Sequence, residues 1–106
     1  MSLLTWFVFV TAAILEVGGD AVIRKGLRGG VVLVTIAGFM ILGCYGVIVN
    51  MVKWDFSRLL GVYVAVFAVV SVLTGRFVFK EDVSTTTGIG LAIIVVGGVV
   101  IYAGHR

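Results

Sequence analysis

Four apolar stretches, Leu3 to Ile23, Val31 to Val52, Leu59 to Phe79 and Thr87 to Ala103, take up almost the whole chain. Each is close to the ~20 residues that an α-helix needs to cross the hydrocarbon core of a bilayer. With 61% hydrophobic and 12% charged residues among 106, the composition lies outside the range of soluble domains. The connections are only six or seven residues long, so consecutive helices must run antiparallel as hairpins, with no extramembrane domain. The expectation is an all-α membrane protein, a single four-helix transmembrane domain over residues 1–106, multi-pass in the cytoplasmic (inner) membrane.

The first stretch has no basic region before Leu3, is too long for a signal peptide and contains Glu16, so it reads as a mature helix. The single Cys44 excludes an intrachain disulfide and reads as a small packing residue in mid-span. A net charge of +3 raises the question of nucleic acid, but the basic residues are divided among short loops without forming a patch, and their expected role is headgroup anchoring. Arg24, Lys25, Arg28, Arg76 and Lys80 lie on one side, against Lys53, Arg58, Arg106 and the N-terminal amine on the other. This bias mildly favours a cytoplasmic first and third loop, and it also suits a chain that inserts both ways.

Within the first stretch, Glu16, Asp20 and Arg24 follow one another at four-residue spacing, close to one helix face. A rise of 1.5 Å per residue from Leu3 puts Glu16 roughly 20 Å into a ~30 Å core, with Asp20 nearer the far interface. A carboxylate at that depth costs about 2.5–3.5 kcal/mol to insert, and such residues usually face a cavity or partner helix and mark proton or ion pathways. No Lys or Arg lies within one turn of Glu16 in the sequence, which favours a proton or cation site over a structural pair. For Asp20 a local ion pair with Arg24 is an equal alternative.

The other segments supply candidates of different kinds. Gly38, Gly43 and Gly46 accompany Tyr45 in the second, and small residues let helices approach closely in lipid. Asn50 reads as a terminus. In the third, Phe56, Tyr63, Phe67 and Ser71 fall roughly on one face, an aromatic stripe that suits either packing or a cation site. Ser84 to Thr87 offer N-caps for the fourth segment. There Gly90 and Gly97, seven apart, make a smooth strip for helix association. His105 reads as a tail residue. No zinc spacing, nucleophile dyad, P-loop or dinucleotide fingerprint occurs, so neither an enzyme nor a cofactor or metal site is expected.

Four short hairpinned helices with one deep glutamate in the first resemble the small multidrug resistance family of the drug/metabolite transporter superfamily. The specific part is Glu16-Val17-x-Gly19 with a basic residue at Arg24, where family members carry Lys, followed by a glycine-containing turn. The resemblance implies an antiparallel, dual-topology homodimer in which both copies of Glu16 line one pocket. Protons and a small cationic substrate would compete there during alternating access, and Gly90 and Gly97 would form the dimerisation strip. On that reading Glu16, Asp20 and Tyr63 bind substrate and proton, while Arg24, Tyr45 and Phe67 tune charge or line the pocket.

Several positions depart from the family pattern. Leu60 and Tyr63 stand where a Tyr and a Trp are usual in the third helix, Ala65 and Phe67 stand where glycines are, and Asp20 replaces a small or hydroxyl residue. Ser57-Arg58 and Gly61-Val62-Tyr63 also resemble the YnfA-like branch, and Val64 to Glu81 resembles half of an EamA-type transporter. Two alternatives therefore stand beside the exporter: an EamA-type carrier subunit for a metabolite or lipid-linked substrate, and a non-transporting accessory subunit.

Overall fold

The computed structural model describes residues 3–104. It consists of α1 (Leu3–Gly29), α2 (Val32–Asn50), α3 (Phe56–Phe77) and α4 (Thr85–Ala103). All four are long and apolar enough to cross a membrane, and no strand occurs among the described residues. Their contacts fall into two compact units, Met1–Val52 and Lys53–Arg106, each a helical hairpin. His105 and Arg106, read above as a tail and as part of the charge count, lie outside the described residues.

In the first hairpin α1 continues six residues past its expected end at Ile23, through the basic run read as a turn. Arg, Lys and Leu are good helix formers, and cations in the last turn complement the negative end of the helix dipole. Its 27 residues rise about 40 Å, so the extension takes Arg24, Lys25 and Arg28 beyond a ~30 Å core towards the headgroups. The turn shrinks to Gly30 and Val31. Gly30 adopts φ +69° and the Val31 N–H donates to the Gly26 carbonyl at 2.9 Å, a Schellman closure that requires a left-handed residue at this point.

The buried residues of α1 are Phe9, Ala12, Ala13, Gly19 and Gly26, a stripe with helical spacing. At its centre the two backbones nearly touch. A Cβ on Gly38 would lie 2.8 Å from the Ile23 nitrogen and 2.9 Å from the Gly19 carbonyl oxygen, and one on Gly19 would meet Leu42 at 2.9 Å. Nearer the turn, Gly26 packs on the backbone of Thr35. Of the expected small residues of α2, Gly38 makes the contact, whereas Gly43 and Gly46 face open space. Asn50 ends α2, its side-chain amide donating to the Gly46 carbonyl at 2.8 Å.

The second hairpin closes differently. Phe56 opens α3 three residues earlier than expected, and α3 ends at Phe77, leaving Val78 and Phe79 outside it. The chain then folds back, with the Phe79 N–H on the Thr74 carbonyl at 3.2 Å and the Glu81 N–H on the Gly75 carbonyl at 2.9 Å. Lys80 takes the left-handed conformation, φ 56°. Ser84 is the N-cap of α4, as expected, its hydroxyl accepting from the Thr87 N–H at 3.1 Å. Gly98 on α4 packs against Ala65, and Gly61 on α3 lies against Ile101. Most large apolar side chains of α4 are exposed, as suits a helix whose outer faces meet lipid instead of water.

Candidate functional site

Glu16 stands midway along α1. Ala12, Ala13 and Gly19, all buried, lie within a turn of it, so the packing stripe carries it towards α2 and leaves it half-buried. The antiparallel register follows from the glycine contacts. Gly26 opposite Thr35 and Gly19 opposite Leu42 bring position 45 of α2 level with position 16 of α1. Tyr45, also half-buried, accordingly interacts electrostatically with the Glu16 carboxyl. A carboxyl and a phenol thus share one level of the hairpin, in the part of α1 that a bilayer core would surround.

Asp20 and Arg24 do not share this environment, and both are exposed. Four helical residues turn through about 400°, so each four-residue step drifts about 40° from the last. By Asp20 the side chain has left the stripe that Gly19 occupies. No ion pair joins Asp20 to Arg24 among the described residues. The acidic pair legible in the sequence is therefore divided, with one member turned towards the neighbouring helix and the other outward.

The remaining candidates belong to other settings. Tyr63 is buried, 2% exposed, and its ring lies 6.4 Å from that of Phe67 at 33°. Ser71, on the same face, turns its hydroxyl onto the Ala68 carbonyl at 2.9 Å, while Phe56 is exposed. A Cβ built on Gly90 or Gly97 meets nothing within 4 Å, so these glycines are not used within the hairpin, and Gly98 carries that contact instead. Cys44 is exposed on α2.

One cluster was not anticipated. The Arg58 guanidinium lies 3.9 Å above the Trp54 ring and 5.3 Å from that of Tyr102, and the two rings stack at 6.3 Å and 25°. The sequence shows Trp54 and Arg58 one helical turn apart, but nothing in it brings the end of α4 to them.

The chain matches, over residues 2–106, the family described as "Uncharacterised BCR, YnfA/UPF0060 family". UPF0060 membrane proteins of Staphylococcus aureus strains MRSA252 and Newman are each 34% identical over 102 residues, covering 94% of this chain and 94% of theirs. No solved structure matches it. Four spanning-length helices and a family match along nearly the entire chain lead to one conclusion: this is a multi-pass membrane protein belonging to the YnfA/UPF0060 family.

Proposed function

We propose that this protein exchanges protons for small organic cations across the membrane by alternating access, with Glu16 as the site the two share. The observation that carries this reading is the placement of Glu16, half-buried at the middle of α1 and level with Tyr45. As a carboxylate it attracts a cation, and on protonation it lets the cation go, which couples the two fluxes without a further group. The Tyr45 phenol offers a hydroxyl donor to the carboxylate and a ring face to the cation. Asp20, exposed one turn away, adds negative field at the approach, and Arg24 offsets it towards the headgroups.

A homodimer brings two copies of Glu16 to one pathway. Gly90 and Gly97 have room for a close-packed helix beside them, and the divided Lys and Arg count suits opposed insertion of the two copies. The resemblance to small multidrug resistance transporters supports the same reading.

The test is proton release on adding a panel of quaternary ammonium and guanidinium cations to weakly buffered, detergent-solubilised protein. Wild type is expected to release protons, Glu16→Gln to release none, and Asp20→Asn to retain release with altered cation preference. Undiminished release from Glu16→Gln removes the mechanism.

A further inference from the structure

No step of the proposed cation exchange uses the Trp54, Arg58 and Tyr102 cluster. A fixed positive charge repels a cationic substrate, so its chemistry points to an anion. Arg58 lies in the first turn of α3, Trp54 just before it, and Tyr102 in the last turn of α4, so all three stand at one end of the second hairpin. Tryptophan and tyrosine at helix ends mark the headgroup level of a bilayer.

The state of the guanidinium carries the argument. Its Nε is sealed from solvent with no hydrogen-bond acceptor, held by the ring faces instead. The two terminal nitrogens are not among the sealed atoms, and no hydrogen bond or ion pair of Arg58 exists among the described residues. Asp55, three residues earlier and exposed, does not take them up. Stacking on Trp54 fixes the plane of the group, leaving its outer fork free for two oxygens of one anion. Paired N–H donors in this geometry match phosphate, and a fork already held in place loses little further freedom on binding. Exposed Lys53 adds positive field beside it.

We propose that Trp54, Arg58 and Tyr102 form a binding site for the phosphate of an anionic phospholipid headgroup. The stacked guanidinium grips the phosphodiester, and the hairpin is thereby tied to one leaflet at a defined depth. This inference is independent of the exchange reaction at Glu16.

The chain has two tryptophans, Trp6 and Trp54, so Trp6→Phe leaves Trp54 as the only reporter. That protein, in neutral maltoside detergent, is titrated with short-chain phosphatidylglycerol, with diacylglycerol of the same chains, and with inorganic phosphate, following Trp54 emission. Phosphatidylglycerol is expected to give a saturable change and the other two much weaker ones. Arg58→Gln, added to this background, should weaken phosphatidylglycerol binding about tenfold or more, as loss of a charged hydrogen-bonding fork implies. Arg58→Lys keeps the charge but not the fork and should still lose several-fold, whereas Lys53→Gln should stay within about twofold, as an exposed charge would. Saturation by diacylglycerol with equal affinity, or unchanged binding in Arg58→Lys, overturns the phosphate site. Inorganic phosphate binding as tightly as the lipid overturns the lipid assignment. Should Arg58→Gln fail to fold, the Arg58→Lys and Lys53→Gln proteins decide alone.

Discussion

In the first hairpin α1 and α2 meet backbone to backbone at Gly19 and Gly38 and are joined by two residues, whereas in the second the connection between α3 and α4 is longer and a Gly98–Ala65 contact replaces the glycine pair. The hairpin with the closer approach is also the one that holds a carboxyl in mid-span. Lipid offers no hydrophobic drive to bring helices together, so close packing must supply it. Where Glu16 would weaken an apolar seam, Gly19, Gly26 and Gly38 allow dense contact along it. The second hairpin has no acidic or basic side chain in mid-span among the described residues. Its charged features sit at its ends, in the Arg58 cluster at one and beside the Ser84 cap, at Lys80, at the other.

The comparison is most exposed to substitution at Gly38. A larger residue there meets backbone atoms of Ile23 and Gly19 that cannot rotate away, so Gly38→Leu should destabilise the protein by about 1–3 kcal/mol or more. Gly88→Leu in α4, where a Cβ meets nothing within 4 Å, should stay within about 0.5 kcal/mol. Denaturant titration in detergent, followed by circular dichroism, measures both. Equal losses would mean that backbone contact is not what distinguishes the hairpins.

The next largest difference lies in the turns. Gly30→Ala forces a Cβ into a left-handed conformation and should cost about 1–2 kcal/mol, read as a lowered unfolding midpoint. Ser84→Ala removes a side-chain cap bond that the starts of α2 and α3 lack, and should cost about 1 kcal/mol. The smallest effect has the opposite sign. Lys80 adopts the same left-handed region as Gly30 but carries the steric penalty for it, so Lys80→Gly should stabilise by about 0.5–1 kcal/mol, reduced by the added freedom of the unfolded chain. A loss on Lys80→Gly would reveal a contact of the lysine side chain that outweighs its backbone strain.

Much of the molecule was legible from local signals. Apolar runs of bilayer length define four helices because each must satisfy its own backbone in lipid. Ser84 reads as a cap because its hydroxyl needs only the N–H three residues on. Glu16 stands out because a carboxyl in such a run is rare. The end of α1 was less legible, since Gly26 and the basic residues around it suit a turn as readily as the close of a helix.

What the sequence by itself determined was the number of membrane-length helices, their antiparallel pairing and the acidic pair, Glu16 and Asp20, that interrupts the apolar run of α1. Only the tertiary structure decided which glycines pack, with Gly19, Gly26, Gly38, Gly61 and Gly98 in contact while a Cβ on Gly90 or Gly97 would meet nothing within 4 Å, and which residues meet at the ends, as Arg58 does with Tyr102. It also parted Glu16 from Asp20. The physical reason is common to all three: helical periodicity tells which residues share a face, but the partner of that face is chosen by the register and rotation of a helix distant in sequence.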